Sequence, residues 1–230
     1  YERDHHFNLW FTLAVPGITD VGAELLRLAD VIEAEAVFEL PVVKFFKLRT
    51  YFSPDEDDQS EAPSGIPDDI TNQSVDLSPV DREIINALQQ DLPLISRPFA
   101  EMSALLKMDE GEFLAQCQSL LARGVVRRFG AAVNHRRAGF AANAMTCWAV
   151  PAEKVKIMAE TLVSLKQVSH CYERKTNPEW PYNLFAMIHG NTREQCRESA
   201  DRASAEAGLL DYVLLFSTRE FKKTRVVYQV

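Results

Sequence analysis

VSHCYERKTNPEWPYNLFAMIHG, residues 168–190, reads as two short strands joined by a polar loop. Val168 to Glu173 and Tyr182 to Ile188 carry β-branched, aromatic and apolar side chains. Lys175 to Pro181 supplies the Pro, Asn and charge of a connection. Upstream, Ala141 to Val150 reads as another strand, and Pro151 as the first residue of a helix running to about Leu165. Downstream, Thr192 to Ala207 reads as a helix ended by Gly208, with strands at Tyr212–Thr218 and Thr224–Tyr228. The order β-α-β-β-α-β predicts a ferredoxin-like sandwich over 140–230, of the α+β class.

The preceding stretch, 78–139, reads as a winged helix-turn-helix. Ser78 or Asp81 caps a helix to about Gln90, with Val80, Ile84, Ile85 and Leu88 on one face. A second helix fits 97–106. Asp109 and Glu112 form a capping-box-like start for a third helix over 109–122, and Gly124 ends it as a left-handed residue. The following VVRRFGAAVNH (125–135) predicts the wing strand.

The chain has 230 residues, 47% hydrophobic, with a formal charge of −8 from 33 acids and 25 bases. Eight of those acids fall within 53–77, which has no Lys or Arg. The remainder is therefore neutral. The segment also carries Pro54, Pro63, Gly65 and Pro67 and few large apolar residues, so it reads as an acidic linker that its own charge extends. No apolar run reaches transmembrane length, and the four Cys show no paired spacing. Both point to a reducing, cytoplasmic setting without membrane contact.

Residues 1–52 repeat the end of the chain. Tyr1-Glu2-Arg3 recurs as Tyr172-Glu173-Arg174. Asn8-Leu9 matches Asn183-Leu184, and Phe46-Lys47 matches Phe221-Lys222, both at an offset of 175. The segment therefore predicts the C-terminal half of a first sandwich, within a chain that extends beyond Tyr1.

A winged helix followed by a ferredoxin-like domain resembles the Lrp/AsnC regulators. DNA binding by the third helix needs Lys or Arg against phosphates. Met108 to Leu121 instead carries Asp109, Glu110 and Glu112 and no base. No DNA partner is expected. The bases gather elsewhere: at the wing, at Arg174-Lys175 and near the C-terminus. Arg forks of this kind hold carboxylates bidentately.

Three runs are more specific. Arg127-Arg128-Phe129-Gly130-Ala131 with Asn134-His135-Arg136-Arg137 and Gly139-Phe140 is similar to the signature of the siroheme decarboxylases. So are Ser169-His170-Cys171-Tyr172-Glu173-Arg174 with Trp180-Pro181-Tyr182-Asn183-Leu184, and the closing Ser217 to Arg225. Residues 78–230 resemble the NirL/AhbB branch, and residues 1–52 the NirD/AhbA branch, as in NirDL-type fusions of haem d1 biosynthesis. The resemblance implies removal of CO₂ from the C12 and C18 acetates of siroheme, giving 12,18-didecarboxysiroheme. It implies other decarboxylase subunits (NirG/NirH-like) or a second copy of the chain as partners.

Such a reaction leaves electron density on a methylene, which the macrocycle can take up before a proton completes a methyl. No organic cofactor is required, and siroheme is the substrate. A proton donor near neutral pKa is required, together with cations for the other carboxylates. His135 and His170 are the candidate donors, and within the family pattern His170 is alternatively a ligand of the siroheme iron. Arg127, Arg128, Arg137, Arg174, Lys222, Lys223 and Arg225 are candidate carboxylate clamps. Tyr172 is a candidate hydrogen-bond donor to a carboxylate, and Trp180 a candidate stacking partner for the macrocycle. His5 and His6 read as incidental loop residues, His189 as a strand-end residue, and no resident metal site is expected.

Overall fold

A computed structural model describes residues 1–48, 75–126, 142–222 and 227–228. They fall into two compact units. Residues 1–48 and 142–222 make up one, residues 75–126 and 227–228 the other.

The first unit is built on one sheet. Strands β1 (Glu2–Arg3), β2 (Val42–Leu48), β3 (Ala142–Trp148), β4 (Val168–Arg174), β5 (Leu184–Gly190) and β6 (Tyr212–Arg219) lie in the order β1-β6-β3-β5-β4-β2. All pairings are antiparallel. The inner four strands have the ferredoxin-like arrangement. Helices α5 (Val155–Ser164) and α6 (Arg193–Ala207) cover one face. Their apolar residues Met158, Leu162, Cys196 and Ala200 meet Ala144, Trp148, Leu184 and Ile188 of the sheet in one buried cluster. Within it the Trp148 indole N–H donates to Ser204 Oγ at 2.8 Å, so the large buried ring leaves no orphan donor. Thr192 caps α6, and Gly208 ends it with φ +64°, a conformation that favours glycine. Pro151 stands just before a short 3₁₀ turn (Ala152–Lys154) rather than at the first position of α5.

Residues 1–48 do not stand as a half-sandwich of their own. β1 joins the β6 edge and β2 joins the β4 edge, while α1 (Val21–Val31) connects them. Asn8-Leu9, matched in sequence to β5, folds back on Tyr1–Arg3 through the bridge Glu2↔Leu9 and the backbone bonds Arg3 N–H to Asn8 O at 2.7 Å and Trp10 N–H to Tyr1 O at 2.8 Å. A two-strand fragment cannot bury enough surface to be stable, whereas a finished sheet offers unpaired backbone at both edges.

The second unit contains α2 (Pro79–Leu88), α3 (Pro98–Leu105) and α4 (Glu110–Ala122). Ser78 and Asp81 close a reciprocal capping box on α2. Asp109 caps α4 by accepting from the Gly111 and Glu112 backbone N–H groups, and Gly124 follows with φ +71°. Ile84, Ile85, Met102, Phe113 and Leu120 form the core. Val80, expected on one face with Ile84 and Ile85, is exposed, as are Leu105 and Leu121. Apart from Val125 and Val126, the wing lies outside the described residues. Tyr228, expected in a strand of the sandwich, is in this unit instead. Its backbone N–H donates to Gln89 Oε1 at 2.5 Å, and its carbonyl accepts from Gln89 Nε2 at 3.1 Å. The Gln89 amide thus supplies the two hydrogen bonds that a neighbouring strand would have offered.

Arg123 donates to the buried carboxylate of Asp81 at 2.5 Å. This bond, followed by the one from the Ser78 backbone, holds the Asp81 carboxyl at about 2. The depressed pKa means stability that is present above the ordinary carboxylate range and lost as pH falls through about 2. Arg123→Ala is expected to move acid melting of the helical unit upward towards the ordinary carboxylate range. Circular dichroism across an acid titration reads this, and an unchanged midpoint would show that the ion pair does not hold Asp81 ionised.

Candidate active site

The face of the sheet turned away from α5 and α6 carries a second buried cluster. Alternation along β3 and β5 places Met145, Cys147, Phe185 and Met187 there, and Leu215 joins them from β6. At one end this face is closed. Phe7, Trp10, Phe38 and Leu40 of the N-terminal segment pack with Trp180 and Tyr182 over it. Trp180 is the centre of that closure. It is 1% exposed, and its ring meets His5 at 5.3 Å, Trp10 at 5.1 Å and Tyr182 at 5.1 Å between centroids. Its expected role as a stacking surface for a macrocycle is therefore corrected: the N-terminal aromatics already occupy its faces and edges. His5 is corrected with it. It is a packed residue, and burial first, then neighbouring His6, holds its pKa below the usual imidazole range.

Two arginines from the repeated Tyr-Glu-Arg motif flank this closed end. Arg3 is buried and donates to the Leu215 carbonyl at 3.0 Å, while its Nε has no hydrogen-bond partner among the described residues. Arg174 donates to the Leu40 carbonyl, and its guanidinium lies 4.7 Å from the Tyr172 ring centroid and 5.5 Å from that of Phe185. Arg174 thus holds the N-terminal segment to the sheet. Tyr172 stacks on Phe185 at 5.7 Å, and burial raises its phenol pKa despite Arg174 beside it. Burial likewise pushes the Cys147 thiol well up and the Cys171 thiol to about 12, so both remain protonated and inert at neutral pH.

The other end of the face holds a polar row. A register irregularity in β4 between Val168 and His170 inserts Ser169 there. Ser169 Oγ lies 2.6 Å from His170 Nδ1 and 2.6 Å from His189 Nε2. His189 Nδ1 in turn meets Asn143 Oδ1, its direct cross-strand neighbour. His189 also lines a shallow depression with Gln167, Gln195 and Arg202. His170 is thus placed with Ser169, its neighbour in the signature run, and with His189 and Asn143, which the sequence analysis did not group with it. The alternation Phe185, Met187, His189 on one face was the available signal for His189.

Lys222 is exposed beyond the end of β6. β6 and β4 are separated by β3 and β5, so their axes lie roughly 14 Å apart at about 4.8 Å per step. His135, Arg127, Arg128, Arg137, Lys223 and Arg225 lie outside the described residues. Residues 127–141 lead directly to Ala142, the first residue of β3, adjacent to Asn143. Among the described residues no group of three His, Cys, Asp or Glu is placed to hold a metal ion. No described helix is long and apolar enough to cross a membrane.

The helical unit followed by a βαββαβ sandwich defines an Lrp/AsnC-type chain. Residues 137–222 match an AsnC-like ligand binding domain, and residues 81–127 match the siroheme decarboxylase NirDL-like HTH domain. A siroheme decarboxylase of Hydrogenobacter thermophilus is 41% identical over 99% of this chain and 67% of its own length. A siroheme decarboxylase beta subunit of Methanosarcina barkeri is 40% identical over 64% of this chain and 96% of its own. The crystal structure of the siroheme decarboxylase NirDL in complex with an iron-uroporphyrin III analogue superposes with a TM-score of 0.68. It is 36% identical and covers 99% of this chain. The chain belongs to the siroheme decarboxylase family. It spans 64% of the length of that crystallised relative.

Proposed function

We propose that this chain, in the cytoplasm, removes CO₂ from the C12 and C18 acetate side chains of siroheme, giving 12,18-didecarboxysiroheme for haem d1 or an alternative haem. The observation that carries this reading is 41% identity along 99% of the chain to a siroheme decarboxylase. The chemistry balances with one solvent proton per acetate, relayed by the protein. Each acetate loses CO₂, and its methylene gains one proton to become a methyl, so no organic cofactor is consumed. His170, on the sheet face clear of the aromatic closure, is the proton donor among the described residues. His135 is a second donor by its place in the sequence signature. Arg127, Arg128, Arg137, Lys222, Lys223 and Arg225 neutralise the remaining carboxylates. Siroheme is the small-molecule partner, and the macromolecular partner is a second decarboxylase subunit or a second copy of this chain.

No DNA contact belongs to this reading. α4 opens on Asp109, Glu110 and Glu112, and of the nearby cations Arg97 pairs with Glu110 and Arg123 with Asp81. Anaerobic incubation of the purified protein with siroheme tests the proposal. The expected product is lighter by two CO₂ units. Unchanged siroheme, with the decarboxylase partner subunits supplied, would refute it. Salt-steep, sequence-selective binding to promoter fragments would favour a transcription regulator instead.

A further inference from the structure

A hydroxyl has one proton to give, and Ser169 Oγ sits between two ring nitrogens, each at 2.6 Å. It can donate to only one of them, and must accept from any other that it bonds. The direction is set at the far end. Asn143 Oδ1 only accepts, so His189 Nδ1 carries a proton and donates it there. Neutral His189 then offers a bare Nε2, Ser169 donates to it, and Ser169 Oγ accepts from the His170 Nδ1–H. The consequence reaches His170: its Nε2 is left as the unprotonated nitrogen.

We propose that Asn143, His189 and Ser169 are positioning residues that fix the tautomer of His170 and keep a second imidazole in line as its proton store. Adding one proton reverses the chain without moving a heavy atom. His189 becomes an imidazolium, donating from Nδ1 to Asn143 and from Nε2 to Ser169. The Ser169 hydroxyl turns to donate to His170 Nδ1, and His170 then carries its proton on Nε2. His170 Nε2 thereby alternates between acceptor and donor, while the charge rests one side chain further from the reacting atoms. Delivery of the Nε2 proton to the methylene turns the chain back to its neutral arrangement.

 In atoms, three protons each move along one hydrogen bond: from His170 Nε2 to the methylene, from Ser169 Oγ to His170 Nδ1, and from His189 Nε2 to Ser169 Oγ. One proton leaves the chain, and the neutral arrangement is restored.

This role rests on the decarboxylation proposed above, so the test has one readout that does not depend on turnover. In the full chain with ¹⁵N-labelled imidazoles, at a pH above the imidazole range, His170 is expected to be protonated on Nδ1. Ser169→Ala is expected to return it to the Nε2–H form that water favours. Asn143→Asp, which still only accepts, is expected to keep Nδ1–H, and Asn143→Leu to lose it. In the siroheme assay, Ser169→Ala and His189→Gln are expected to lower kcat by about 10–100-fold with KM unchanged, the size typical of groups that orient an active imidazole. The same His170 tautomer in wild type and Ser169→Ala, or a kcat for Ser169→Ala within about twofold of wild type, would overturn the proposal. A wild-type chain with the Nδ1–H tautomer and no decarboxylation would refute the reaction and support the hydrogen-bonded chain.

Discussion

His170→Ala is expected to lower kcat for siroheme decarboxylation by about 10²–10⁴-fold, the usual contribution of a positioned general acid, while the melting temperature stays near that of the wild type. The small stability effect follows from where the side chain sits. His170 is half-buried on the sheet face opposite the helices, and it belongs to neither apolar cluster of this unit. The large kinetic effect follows from the chemistry, because each lost CO₂ must be replaced by a proton on carbon. His170→Gln separates two readings of the residue. It keeps a polar side chain of similar reach but removes the titrating group, so it is expected to be as slow as His170→Ala. Full activity in either variant would move the acid role to another residue, with His135 the next to test. Single-turnover kinetics with thermal denaturation of the same preparations measures both quantities.

Trp180→Ala is expected to do the reverse. Removing a fully buried indole costs about 3–5 kcal/mol, which corresponds to a fall in Tm of roughly 10 °C for a chain of this size. The loss extends beyond one cavity. Trp180 is what Trp10 and His5 pack on, so the variant also loosens the N-terminal segment from the sheet. Arg174→Ala is expected to weaken the same closure through the lost bond to the Leu40 carbonyl. If Trp180 instead stacked on the macrocycle, Trp180→Ala would raise KM for siroheme and leave Tm unchanged. Differential scanning calorimetry beside a substrate titration distinguishes the two.

The contrast between His170 and Trp180 shows what local sequence can carry. Helix ends were legible because their signals are contiguous: Ser78 with Asp81, Asp109, Thr192, Gly124 and Gly208 all act within a few residues of where they stand. The inner sandwich was legible for the same reason, since alternation and turn residues mark each strand. Trp180 was not, because the rings that bury it include those of His5, Phe7 and Trp10, some 170 positions away, and a Trp in a polar loop reads locally as exposed. The edge positions of β1 and β2 were hidden in the same way: a strand pattern says that a segment will pair, not with which edge. His189 was read as a strand end because its partners are fixed by register. The pairing Asn143↔His189 and the irregularity at Ser169 exist only once β3, β4 and β5 are assembled. The residues expected to clamp carboxylates divide along similar lines. Arg174 is held by a backbone carbonyl and an aromatic face that the linear sequence does not place beside it, whereas Lys222 is exposed as its position after a strand suggests.

The repeat acquires a physical meaning from this arrangement. Tyr1-Glu2-Arg3 and Tyr172-Glu173-Arg174 read as copies of one motif, and both arginines end against backbone carbonyls, Arg3 on Leu215 and Arg174 on Leu40. Each ties one copy to the other. The first copy therefore closes one end of the second copy's sheet, the end opposite His170.

Decarboxylation carried out in heavy water measures the central claim most directly. Purified protein incubated anaerobically with siroheme in D₂O, with the product analysed by mass spectrometry, is expected to give a tetrapyrrole that has lost two CO₂ units and carries one deuterium in each of the two new methyl groups. Siroheme recovered unchanged from a protein that binds it, with the decarboxylase partner subunits supplied, would contradict the account.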